Sequence, residues 1–228
     1  MFESKTHSDV LLLNFSDPSS KNAFSLEAAR EFQKKVSEKD WRGVVLQSQG
    51  DVFCAGGQLK DYASQPEKGV EVNREITAIL DQFSKMNFMK LVFVDGLCVG
   101  GGLEWISAFD IIEASPRSRF GLWQRNIGLT FGWGGGNRLE KRIGVANTKR
   151  WLLQSSLLSA YSCKAIGLVE RIVSPDTFAR EVLKRAEWEL PVWESSNQLW
   201  AWNSGEESQI FESLWLNSHH KSQLNRFR

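Results

Sequence analysis

The chain has 228 residues, 42% of them apolar, and a formal charge of +1 from 28 basic and 27 acidic side chains. That length and apolar content suit one large domain, or one domain with a small helical appendage. The balanced charge, with Lys and Arg scattered among Asp and Glu, argues against nucleic acid as a main partner, and no apolar run nears the roughly 20 residues that a membrane helix needs.

In chain order, the opening MFESKTHSDV lacks the apolar core of a signal peptide, so a cytoplasmic location is expected. A strand is predicted at Val10 to Asn14. A helix follows from Ser25, a suitable N-cap, to Ser37, with Leu26, Ala29, Phe32 and Val36 as its apolar stripe. A strand over Gly43 to Gln47 precedes VFCAGGQLK, where an apolar strand from Val52 runs into Ala55, Gly56 and Gly57. Asp61 to Lys68 is polar with one proline and reads as a mobile loop. Val72, Ile76, Ile79, Leu80 and Phe83 recur at helical spacing within Gly69 to Met86. Next comes LVFVDGLCVGGGLE, Leu91 to Glu104, an apolar run that ends in three glycines with a carboxylate two residues on. A strand is predicted again at Asp110 to Ala114, and the alternation of strand and helix implies an α/β chain. After Pro191 the composition shifts to Trp, Ser, Asn and charge. Ile210, Phe211, Leu214, Trp215 and Leu224 there share one helical face, which needs the core or a neighbouring subunit to cover it. The predicted division is therefore 1–190 as core and 191–228 as a helical cap or oligomerisation segment.

The two glycine turns carry the most information. Glycine lets backbone N–H groups approach a ligand atom with no Cβ in the way, and the first turn of a helix adds a positive dipole end. Two such turns can supply two convergent donors for an anion or a developing oxyanion. Other chemistries find no support. GWGGGNRLEKR lacks the Gly-Lys-Ser/Thr ending of a phosphate-binding loop, and in VGGGLEW Trp105 stands where a dinucleotide site needs its last glycine. Cys54, Cys98 and Cys163 have no metal spacing and read as free, buried thiols. His7, His219 and His220 lie at the chain ends without a carboxylate cluster, so no metal is expected.

Together with LLLNF, SKNAFSLE, FDIIEASPRSRFG, IGLTFGWGGGNRLEKRIG and SAYSCKAIGLVERIV, all in family order from about Val10 to Val173, the two turns resemble the crotonase (enoyl-CoA hydratase/isomerase) superfamily. The resemblance implies a crotonase-like spiral of repeated ββα units with a short C-terminal helical region. It also implies an acyl-CoA thioester substrate, with coenzyme A as part of the substrate and no separate cofactor, and a homotrimer or dimer of trimers. The oxyanion donors would be the N–H groups of Gly57 and Gly101. The coenzyme would meet backbone just after the first turn, at Ala55, Gln58 and Leu59. Lys60 would either meet phosphate or be a solvated surface lysine.

Bases that attack next to a thioester carbonyl push negative charge onto its oxygen, and two preorganised donors stabilise that enolate. Glu104, three residues after Gly101, matches one of two glutamates with which hydratases of the family hold and activate water. The second position is Gln124, in FGLWQRNIG, and an amide cannot exchange a proton as a carboxylate does. The expected activity is a hydratase-like lyase with Glu104 as its single catalytic glutamate and Gln124 holding water. Isomerisation, decarboxylation and thioester hydrolysis are the alternatives, beside a catalytically idle acyl-CoA or protein-binding module. Trp105, Trp123 and Trp133 are expected near the acyl pocket, making it narrower or more aromatic.

Overall fold

The computed structural model describes residues 1–64 and 66–196. Strands β1 (Phe2–His7) and β2 (Val10–Phe15) form a hairpin that leads to α1 (Leu26–Val36), and β3 (Gly43–Ser48), β4 (Val52–Cys54), α2 (Leu59–Ser64) and α3 (Gly69–Lys85) follow. Then come β5 (Met89–Val94), β6 (Leu97–Val99), α4 (Gly101–Ile106), β7 (Ile111–Ala114) and β8 (Arg119–Gly121). The described chain ends with α5 (Gly135–Ile143), α6 (Val145–Gln154), β9 (Leu157–Ser159), α7 (Ala160–Ala165), β10 (Arg171–Ile172) and α8 (Pro175–Ser196).

Two sheets result, one of six strands in the order β1-β2-β3-β5-β7-β10 and one of four in the order β4-β6-β8-β9. Each of the pairs β3/β4, β5/β6 and β7/β8 gives its first strand to the large sheet and its second to the small one, with parallel neighbours in both. This is a spiral of repeated strand-strand turns, as the resemblance implied. Side chains alternate across the large sheet. Val44, Leu46, Val92 and Val94 enter the central core, while Val45, Leu91 and Phe93 face α8, where Phe93 stacks on Phe178 at 4.1 Å.

The expected elements form with small shifts at their ends. Ser25 caps α1, its hydroxyl accepting from Ala28 N–H, and α1 buries Ala28, Ala29, Phe32 and Val36. Strand β1 was not foreseen. Its burial pattern has one buried residue followed by five exposed ones, which leaves no apolar alternation to read. The segment expected as a mobile loop is instead helical, as the end of α2 and a 3₁₀ turn at Pro66–Lys68. Its polar residues line a solvent-facing surface while Tyr62 turns inward; polarity there reports exposure, not irregular backbone. Helix α8 crosses the expected junction at 190/191 without a break, and the stripe from Ile210 to Leu224 lies outside the described residues.

Candidate functional site

Strands β4 and β6 are neighbours in the small sheet, so the glycine turns at their ends meet. Gly56 (φ 103°) and Gly100 (φ 56°) adopt backbone that L side chains rarely take, which is why glycine stands at each. A methyl group on Gly56 would stand 3.5 Å from Gly101 N. The local hydrogen bonds run around the two candidate donors. Phe24 N–H donates to Gly56 C=O (2.8 Å), Gly100 N–H to Gly121 C=O (2.8 Å) and Leu103 N–H to Gly100 C=O (3.1 Å); none takes up the N–H of Gly57 or Gly101. Gly102 fixes the spacing by packing on Cys54, where a methyl group would lie 2.8 Å from Cβ. Buried Asn22 sets the start of this path, donating from Nδ2 to Val52 C=O (2.7 Å) and Gln49 C=O (2.9 Å).

The expected coenzyme-binding residues border this frame. Ala55 spends its N–H on Lys21 C=O (3.2 Å), Gln58 is half-buried, and Leu59 and Lys60 are exposed at the start of α2. Beside them lies a cavity of about 260 Å³, lined by Ser25, Leu26, Gln58, Tyr62 and Val72 among others.

Glu104 and Gln124, the two positions that the resemblance pairs, lie together. Both are buried, and Gln124 Nε2 donates to Glu104 Oε1 at 3.0 Å. Glu104 has three further donors: Gly132 N–H on Oε1 (3.1 Å), and Trp133 N–H (2.8 Å) and Gly135 N–H (3.1 Å) on Oε2. A carboxylate offers about four lone-pair sites, and four donors fill them. Gly135 opens α5, so the charge also lies at a helix N-terminus. Gln124 Oε1, by contrast, is buried with no hydrogen-bond partner among the described residues.

Trp133 fills the space that the two glycines face. Its indole lies against both: a methyl group on Gly101 would overlap Cζ3 and Cη2, and one on Gly57 would stand 3.2 Å from Cζ2. Trp133 Nε1 donates to Asn73 Oδ1 (2.7 Å), which also accepts from Tyr62 Oη (3.0 Å). Burial pushes the Tyr62 phenol up, the neighbouring Trp133 N–H opposes this, and the Glu104 charge adds to the rise, so the hydroxyl stays a donor at neutral pH. The Trp133 carbonyl is held by Arg138 Nη2 (2.6 Å), and Thr77 Oγ1 holds the Gly132 carbonyl (3.0 Å). Burial lowers the pKa of Arg138, and the charges of Asp81 and Glu104 act the other way.

Asn73, Tyr62, Thr77 and Arg138 were not foreseen as site residues. The readable sign was a polar ridge on α3, Asn73, Thr77 and Asp81 at i, i+4 and i+8, which all reach the loop before α5 or the α5 residue Arg138. Trp105, expected at the pocket, is instead core. It is fully buried, stacked on Phe24 at 4.1 Å and met edge-on by Phe15 and Phe32, because its place on α4 points it into the aromatic cluster. Trp123 is 37% exposed and packs beside Gly121. Among the described residues no group of three or more His, Cys, Asp and Glu could hold a metal, and no helix is long and apolar enough to cross a membrane. All three cysteines are buried and unpaired; burial pushes the Cys54 and Cys163 thiols to about 12.

The family model for enoyl-CoA hydratase/isomerase matches residues 5–194. The human mitochondrial methylglutaconyl-CoA hydratase is 29% identical over 193 residues, covering 80% of this chain and 57% of the relative. The human ethylmalonyl-CoA decarboxylase is 26% identical over 190 residues, covering 81% and 62%. The chain thus spans about three-fifths of the length of these curated relatives. Among solved structures, an enoyl-CoA hydratase from Thermoplasma volcanium superposes with a TM-score of 0.81 at 22% identity, covering 100% of this chain and 97% of that one. One from Mycobacterium smegmatis gives 0.80 at 20% identity, covering 99% and 95%. By the extent of the family match and by its fold, the chain belongs to the enoyl-CoA hydratase/isomerase family of the crotonase superfamily.

Proposed function

We propose that the protein acts on an acyl-CoA thioester, the N–H groups of Gly57 and Gly101 stabilising the enolate oxygen, and that the reaction is one whose carbon chemistry needs no carboxylate base. The observation that carries this is the fourfold engagement of Glu104. Hydration and isomerisation both require a carboxylate with a free lone pair at the reacting carbon or water. Here one of the two family positions is an amide and the other has its acceptor sites filled. Decarboxylation of a malonyl-type thioester requires neither: the carboxylate leaves as carbon dioxide, its electron pair passes to the thioester oxygen, and solvent supplies the proton. Similarity to an ethylmalonyl-CoA decarboxylase supports this reading.

Hydration, the first expectation from the sequence, keeps one observation in its favour. The open Gln124 Oε1 is an acceptor for a water, and similarity to a methylglutaconyl-CoA hydratase goes with it. In that reading Glu104 has to leave at least one of its donors before it can take a proton. Assembly as a trimer or dimer of trimers belongs to the same proposal, on the strength of the resemblance to the family. The test is a mass-spectrometric screen of the purified protein against malonyl-type, enoyl and saturated acyl-CoA thioesters. Loss of carbon dioxide is the expected result. Gain of water on an enoyl substrate overturns decarboxylation in favour of hydration, and binding without turnover of any thioester leaves a binding module.

A further inference from the structure

The Trp133 indole lies against both Gly57 and Gly101, on the side to which a Cβ at either position would project, and so occupies the space beside the two proposed donors. Two sets of bonds hold this residue, and they differ in strength. Its backbone is fastened by Trp133 N–H on Glu104 and by Arg138 on its carbonyl, with Gly132 tied beside it to Glu104 and Thr77. Its indole is fastened by one hydrogen bond, Nε1 to Asn73 Oδ1, and by contact with Gly57, Gly101 and Phe24. Rotation of the side chain therefore breaks a single hydrogen bond, whereas withdrawal of the loop breaks several. Next to the indole, against the same face of Gly57, stands Tyr62, which shares the same Asn73 oxygen and lines the neighbouring cavity. A turned indole thus opens the glycine frame on the side where that cavity lies.

We propose that Trp133 is the specificity-determining residue of this site: a bulky plug, latched by Asn73, that substrate must turn aside and that limits the size of the acyl group admitted. The inference rests on the thioester reading given above and adds the residue that selects among thioesters. Because the loop backbone stays in place when the indole turns, Glu104 keeps its donors, so the plug and the carboxylate act independently. The binding-competent population is a fraction of the whole, and apparent affinity falls by that fraction. Removing the latch raises the fraction without touching any atom that meets the carbonyl.

The test measures Kd and association rate for ketone analogues of butanoyl-CoA and octanoyl-CoA in which a methylene separates sulfur from carbonyl, so that no bond can be cleaved. Asn73→Ala is expected to speed association of both by about fivefold, the equivalent of one hydrogen bond. Trp133→Ala is expected to tighten the octanoyl analogue by at least about tenfold, and the butanoyl analogue by less. Trp133→Phe, which keeps an aromatic ring in the core but lacks the N–H, should match Asn73→Ala and serves if the alanine variant does not fold. Equal rates and affinities in the wild type, Asn73→Ala and Trp133→Phe overturn the plug and leave the thioester reading standing. Failure of every form, wild type included, to bind either analogue overturns both.

Discussion

The glycine frame and the wall opposite it obey different rules, although both belong to one site. In the frame, Gly56, Gly57 and Gly100 to Gly102 bring two turns of backbone side by side, and each close approach there is to backbone, to Cys54, to Tyr62 or to the Trp133 indole. In the wall, Glu104 accepts from Gln124, from the loop before α5 and from the first residue of that helix, while Gln124 Oε1 has no partner among the described residues. A frame of this kind serves any enolate, whereas the wall decides which enolate forms and how. On the reading proposed above, the frame keeps the family's shared step and the wall changes the reaction.

Trp105 offers the sharpest contrast with Trp133. Both are buried within a few residues of glycines of the site, yet Trp105 is enclosed by aromatic rings whereas Trp133 lies against Gly57 and Gly101. Trp105→Ala removes a fully buried ring stacked on Phe24, and a loss of about 3–5 kcal/mol of stability is expected by denaturant unfolding. Gly101→Ala should do the reverse. Its methyl group collides with the Trp133 indole and displaces the donor, so kcat/KM on whichever thioester is turned over should drop by about 100- to 1000-fold, the usual cost of one oxyanion donor, with a smaller change in stability. Equal effects of the two substitutions on stability would erase the distinction between frame and core.

A smaller effect is expected where the strands leading to the frame begin. Arg117 bridges Asp95 (2.7 Å) and Asp51, at the starts of β6 and β4, and its guanidinium holds the Asp95 carboxyl below its ordinary value of 3.8. A lowered folded-state pKa contributes stability above the ordinary value and loses it as pH falls through the lower one. Arg117 is half exposed, so Arg117→Ala should cost about 1 kcal/mol or less at pH 7. Thermal melts should show the gap to wild type closing below about pH 4. A gap that widens with acid would mean that Asp95 is not the partner that matters.

The fold was largely legible because its signals are local: short apolar runs for β2, β3 and β5, helical spacing in α1 and α3, and glycine turns at β4 and β6. Strand β1 escaped because only Phe2 along it is buried, and the reach of α2 past Lys60 because a short helix with a polar surface has the composition of a loop. The pairing of Gly57 with Gly101, and of Glu104 with Gln124, came from the resemblance to the family. That Glu104 has four donors did not, because three of them are backbone N–H groups of the loop before α5 and its first residue, and backbone donors leave no mark in residue identity. The destination of each tryptophan depended on which face of α4 or which side of a turn it left from, and composition is blind to that.

The most direct measurement compares kcat of the wild type and Glu104→Gln, with folded fractions matched, on the thioester that the protein turns over. If Glu104 is a positioning residue for the Trp133 loop, kcat should fall by no more than about tenfold while stability drops by about 1–3 kcal/mol, since the new amide cannot accept all four donors. If Glu104 is the acid or base, the same substitution should lower kcat by about 100- to 10,000-fold and remove a carboxylate limb from the pH–rate profile, and that result would contradict the reading of this site.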